Sequence, residues 1–301
     1  MENRSKALWY ALASAFAFAI MGLFVKLASD VAVVDKVLFR NLVSLVIALV
    51  IVLRNHRPFI GKRQNQLALM ARSLLGIGGV MCFFWAIDHL LLADASMLAR
   101  LSPFFVAVFA AVFLREPLTT RVVAALILGF SGGLLVIKPT FDLEVLPALV
   151  GASSAVFAGG AYVLLRYLRN REAPETIVLH FSLVSVVGLM PFVLPNFDRP
   201  TLTEWLWLLG IGLGAAAGQL ALTASYRHAP AGRVALIGYA NIIFSAFFGW
   251  LWWAEVPDLF SIAGGVLILI GGAVAFTSIQ ATPSTDRVSY DGSKVEGKGE
   301  R

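Results

Sequence analysis

The feature that most constrains this chain is a series of ten apolar runs, each roughly 20 residues long, the length that crosses a bilayer as helix. They fall near 7–28, 33–53, 67–90, 94–114, 121–138, 146–168, 176–195, 203–226, 231–252 and 260–279, with short charged islands between them. A backbone surrounded by lipid must satisfy its own N–H and C=O groups, so each run is predicted to be an α-helix. Composition agrees, with 59% hydrophobic and only 14% charged residues in 301, where soluble domains carry about 25% charge. A soluble fold built from ten such runs would have no surface to offer water. The run that follows Met1–Lys6 is too long for a cleavable signal core and is read as the first span. Residues 280–301 are polar and poor in apolar side chains, which predicts a disordered tail.

Orientation follows from the Lys and Arg residues beside the spans. With the N-terminus inside, Lys26, Lys36, Arg40, Arg100, Lys138 and Arg199 fall in the outer half or on the outer side. The other 18 of the 24 basic residues fall on the inner side. Both termini are therefore expected in the cytoplasm, with the protein integral to the cytoplasmic (inner) membrane. The net charge of +6 follows from this asymmetry and calls for no nucleic-acid partner. Cys82 is the only cysteine, which excludes an internal disulfide.

The ten runs form two copies of one unit. Ser14 and Ser153, Phe18 and Phe157, Gly79 and Gly218, His89 and His228, Glu116 and Glu255, and Gly133 and Gly272 are all related by one offset of 139 residues. Leu42-Val43-Ser44 returns as Leu183-Val184-Ser185 at nearly the same offset. The first unit is read as 1–140 and the second as 141–279, with 280–301 as a cytoplasmic tail. Five spans is an odd number, so the second unit enters the membrane upside down. The fold class is thus all-α integral membrane, ten transmembrane helices in two inverted five-helix repeats. Inverted repeats place a substrate site near the midplane and let the halves rock around it.

The stretch Leu92-Ala93-Asp94-Ala95-Ser96-Met97-Leu98, then Leu101-Ser102-Pro103-Phe104-Phe105-Val106, Phe113-Leu114-Arg115-Glu116 and Gly129-Phe130-Ser131-Gly132-Gly133, resembles the EamA family of the drug/metabolite transporter superfamily. Ala229-Pro230-Ala231 and Trp253-Ala254-Glu255-Val256-Pro257 repeat the pattern in the second half. The resemblance spans about residues 7–279. It implies a secondary transporter, often an exporter of amino acids or other small metabolites. It also implies a central cavity lined mainly by the first, third, fourth, sixth, eighth and ninth helices. Arg100 stands where the family often has a small or neutral residue.

A charge inside the bilayer costs roughly 2.5–3.5 kcal/mol on insertion scales and needs a reason. Lys26, Arg40 and Arg100 lie at similar depth in the outer half. Together they read either as a cationic patch for a carboxylate or phosphate, or as side chains that snorkel or pair with Asp30, Asp35, Asp88 and Asp94. Trp85, Gln219, Tyr239 and Asn241 join Arg40 and Arg100 as substrate-binding candidates, with interhelical hydrogen bonding as the alternative for the polar three. Asp88, Asp94, Glu116 and Glu255 are the carboxylates that could couple transport to protons. Arg72 and His180 read as interface residues, and Trp9, Tyr10, Trp250, Trp252 and Trp253 as belt anchors. Gly129 with Gly133, and Gly210, Gly214 and Gly218, recur at four-residue spacing, which suits helix packing within the monomer or in a homodimer.

No HExxH, Gly-x-Ser-x-Gly or phosphate-loop motif is present, so no enzyme, metal or cofactor is expected. The expected function is a secondary transporter moving a small metabolite by alternating access, with membrane lipids as its surroundings. The alternative is a non-transporting membrane scaffold or lipid-binding protein.

Overall fold

A computed structural model describes residues 4–115, 118–138, 145–169, 171–197, 199–226, 228 and 231–280. These residues form α1 (Arg4–Leu27), α2 (Val33–Arg54), α3 (Gln66–His89), α4 (Leu92–Ala99), α5 (Ser102–Leu114), α6 (Thr120–Ile137), α7 (Leu146–Leu168), α8 (Pro174–Val193), α9 (Leu202–Tyr226), α10 (Ala231–Gly238), α11 (Ala240–Trp253) and α12 (Leu259–Gln280). Among the described residues nine helical segments are long and apolar enough to cross a membrane, and a tenth apolar stretch, Leu259–Ala275, lies in α12. Of the predicted tail 280–301, Gln280 is the last residue of α12, and 281–301 lie outside the described residues.

Ten spans become twelve helices because the fourth and ninth, each expected to be continuous, are broken. α4 and α5 share one span, and α10 and α11 share another. The first break follows from Pro103, which has no N–H to give the Ala99 carbonyl and whose ring would collide with it. The second has no proline. It falls just after Gly238, the poorest helix former short of proline.

By repeat position, α7 matches α1, α8 matches α2, α9 matches α3, α10–α11 matches α4–α5, and α12 matches α6. The main helix pairings run between the two halves: α1 packs on α9 and on α10–α11, while α7 packs on α3 and on α4–α5. α2 packs on α8, and α6 on α12. Exchanging every helix for its mate leaves this pattern unchanged, as two like units around a pseudo-twofold axis require. The mates α2 and α8, and the mates α6 and α12, meet at that axis.

Small residues set the closest approaches. Ala7, Ala11, Ala15 and Ala19 form a buried stripe on α1. Against α1, a Cβ on Gly218 would meet Phe18, one on Gly214 would meet Met21, and one on Gly210 would meet Phe24. Ser14 Oγ donates to Gly218 O at 2.8 Å. Gly129 seats Phe104 and Gly133 seats Leu101. Both glycine series are therefore occupied inside the chain rather than offered to a second copy.

Three spans end in the left-handed region, at Arg115 (φ 55°), Lys138 (φ 50°) and Ala254 (φ 53°), and the first and last of these hold matching repeat positions. An L-residue there gives up roughly 1–2 kcal/mol, which glycine avoids at a smaller cost in chain entropy. Ala254→Gly should therefore stabilise the protein by about 0.5–1 kcal/mol, read as a higher melting temperature in detergent. A lower one would show that Ala254 does not hold this turn.

Candidate functional site

The two broken spans cross. Ser96 Oγ on α4 donates to Ser245 Oγ on α11 at 2.8 Å, with both side chains buried. At each break the backbone ladder tightens to three-residue bonds: Leu101 N donates to Leu98 O at 3.0 Å, and Tyr239 N donates to Leu236 O at 3.2 Å. Arg100 is the C-cap of α4 and Tyr239 the N-cap of α11, and these two residues are repeat mates. The breaks are thus one feature built twice. Breaks at corresponding positions of inverted repeats are where transporters of this architecture place solute, because freed backbone groups and half-helix ends face the crossing.

Arg100, Tyr239 and Asn241 come to this crossing. A Cβ on Gly238 would lie 3.7 Å from an Arg100 guanidinium nitrogen. Its position also lets the cation act on the α4 C-terminus, where positive charge is favoured. Asn241 is buried and its Nδ2 donates to Ala15 O on α1 at 3.1 Å. The Tyr239 hydroxyl is buried with no hydrogen-bond partner among the described residues. It points at α12, where a Cβ on Gly272 would fall 2.6 Å away, so this ring packs between helices.

The other predicted binding residues have different neighbours. Trp85 stacks on His89, with ring centres 3.9 Å apart. Gln219 is exposed, one position past the Gly218 that packs on Phe18. Arg40 turns toward α8. Lys26, Arg40 and Arg100 therefore do not form the single cationic patch that their similar depth suggested.

The acidic candidates gather at the end of the bundle where α1 gives way to α2. Glu255 pairs with Lys26, and its second oxygen accepts from Leu92 N at 2.9 Å, capping α4. Lys26 also donates to Leu90 O at 2.7 Å and lies over the Trp253 ring. Asp88 takes Lys36 through both oxygens, at 2.7 and 2.8 Å. Lys138 reaches Asp258 at 2.8 Å and Asp94 at 4.0 Å. Outside the spans, hydrogen bonding to Lys138 holds the Asp258 carboxyl below its ordinary range. Asp94 is buried, and its Oδ1 has no hydrogen-bond partner among the described residues. Glu116 lies outside the described residues. All four ion pairs among the described residues are at this one end. They tie α1 and the end of α6 to the segment that joins α11 to α12, the end of α6 to α4, and α2 to α3.

Two residues expected at the membrane interface lie inside instead. His180 is buried, with Nδ1 3.1 Å from Ser73 Oγ. The Arg72 guanidinium sits 4.3 Å from the centre of the Phe181 ring, and that of Arg40 sits 5.9 Å from the same ring. Arg40 and Phe181 are repeat mates on α2 and α8, which explains their meeting at the axis. That pairing was the available signal. Arg72 could not be found the same way, because α3 and α9 are mates that pack on other helices.

A family model described as "EamA-like transporter family" matches residues 5–138 and again 145–277. The pseudopaline exporter CntI of Pseudomonas aeruginosa is 39% identical over 263 residues, covering 86% of this chain and 92% of that protein. A riboflavin transporter of Vibrio cholerae is 26% identical over 220 residues, covering 72% of this chain and 73% of its own. One crystal structure superposes with a TM-score of 0.60 at 19% identity, covering 89% of this chain and 97% of the other, which shows likeness of fold alone.

Proposed function

Because this chain belongs to the EamA-like transporter family, we propose that it exports a small amino-acid-like metabolite across the cytoplasmic membrane by alternating access. The crossing of two spans broken at matching repeat positions carries this reading. It gives the solute a midplane site that either half can uncover. Arg100 and Asn241 flank that site. The basic residues orient the chain with both termini in the cytoplasm. The ion-paired end then faces outward, and the described conformation is closed on that side.

Asp88 and Glu255 serve as the outer gate, since each already holds a lysine. Asp94 is the better coupling group: it is buried, faces Lys138 at 4.0 Å and keeps one oxygen without a hydrogen-bond partner among the described residues. Its protonation loosens the hold on Lys138 and lets the outer end part. Lipid surrounds the exposed apolar faces, and any homodimer uses a surface other than the glycine series on α6 and α9.

Pseudopaline, the solute named for the 39% identical relative, is the first compound to test, followed by the amino acids. Purified protein in proteoliposomes should release loaded solute faster than empty vesicles, and a proton gradient should change the rate. If no solute moves under either condition, the scaffold or lipid-binding alternative takes its place.

A further inference from the structure

Lys26, Lys36, Arg40 and Arg72, carried by α1, α2 and α3, divide in two. Lys26 and Lys36 each hold a carboxylate. Arg40 and Arg72 hold none: among the described residues no carboxylate comes within 4.0 Å of either. Arg40 gives one nitrogen to Asn41 Oδ1 at 3.1 Å. Arg40 Nε and Arg72 Nε and Nη1 are buried and make no hydrogen bond among the described residues. Both guanidiniums converge on the Phe181 ring, and Tyr162 is near enough to interact with both. Two like charges that share one ring also repel each other.

Unpaired buried cations cost several kcal/mol each. An aromatic face returns only about 1–2 kcal/mol of that. Arginine near a helix end can escape by snorkelling, yet Arg72 does not. It lies six residues into α3, and Phe181 lies seven residues into α8 from the same end of the bundle. At 1.5 Å per residue both are about 9–10 Å below that end. Arg72 therefore reaches across at constant depth rather than up to water. Arg40 comes from the opposite end, seven residues into α2, also about 10 Å deep.

We propose that Arg40 and Arg72 form an anion site that receives a carboxylate of the transported solute, with Phe181 as its floor. The site supplies several unused N–H donors in planar forks, the geometry that a carboxylate fills through both oxygens. Its depth lies within the roughly 30 Å hydrocarbon layer, which favours a soluble carboxylate over the phosphate of a lipid headgroup. The inference rests on the transporter reading for the identity of the occupant, but the site itself does not depend on it.

The test uses the full chain in phosphatidylcholine nanodiscs, with citrate and succinate as probes and thermal unfolding as readout. Citrate should raise the melting temperature of the unaltered protein. Arg40→Met and Arg72→Met should each weaken citrate binding by roughly tenfold to a hundredfold. Without citrate both variants should melt higher than the parent, because each removes an uncompensated charge. Arg72→Lys should bind at an intermediate level, and Arg63→Gln, at an exposed arginine, should behave as the parent.

Three results would overturn the site: no response of the parent to either probe, unchanged citrate affinity in both Met variants, or stabilisation by phosphatidylglycerol in place of citrate. Solute efflux separates this from the broader reading. Citrate binding without movement of any solute leaves the site and removes the transporter. Unimpaired efflux by Arg40→Met and Arg72→Met leaves the transporter and removes the site.

Discussion

Replacing Lys36 by methionine should destabilise the protein by about 3–5 kcal/mol, the cost of leaving a buried partner charge alone. Lys36 is fully buried and meets both oxygens of Asp88, whose side chain is 9% exposed. Methionine keeps the length and most of the volume, so packing changes little and the loss is electrostatic. The second variant decides between causes. Lys36→Met combined with Asp88→Leu removes both charges and should return to within about 1 kcal/mol of the parent, since well-packed apolar replacements of buried pairs are often neutral. A double-mutant cycle from melting or denaturant curves would show a large coupling energy. A double variant as unstable as the single one would mean that Lys36 acts by shape rather than by its charge.

The second large effect is expected where α6 meets α12. A Cβ on Gly132 would lie 2.6 Å from Gly264 O, and one on Gly264 would lie 2.5 Å from Gly132 O. These obstacles are backbone atoms, which cannot rotate away as a side chain would. Gly132→Val should therefore cost at least about 3 kcal/mol, the upper end for overpacking, and should reduce the yield of folded protein. Gly188 on α8 is the matched control, with nothing within 4 Å of a built Cβ. Gly188→Ala should be neutral or stabilising by up to about 1 kcal/mol. Equal losses at both positions would point to a general effect of glycine replacement instead of the α6–α12 contact.

The spans and their duplication were legible in the sequence because lipid dictates helix length and because the two copies keep one offset. The break at Pro103 was also readable in principle, since proline removes an N–H wherever it falls inside a helix. Its counterpart at Tyr239 was not, because only Gly238 marks it locally. Side-chain partners were harder still. Depth along each helix suggested that Lys26, Arg40 and Arg100 belong together, but rotation about the helix axis sends them to Glu255, to Phe181 and to the α10–α11 break. Arg72 looked like an anchor because it stands near a helix end. Its direction depends on α8 packing beside α3, which no single helix reveals. The glycine spacing promised close packing without saying against what, and the structure assigns α1 to one series and Phe104 with Leu101 to the other.

Alternating access is tested most directly by clamping the ion-paired end. In a Cys82→Ser background, Lys26→Cys with Glu255→Cys places two thiols where the α1 and α11 ends meet, within reach of a short bifunctional methanethiosulfonate. Solute efflux from proteoliposomes is then measured before cross-linking, after it, and after reduction. Efflux that stops on cross-linking and returns on reduction is the predicted result. Efflux that continues at the same rate with this end held shut would contradict it.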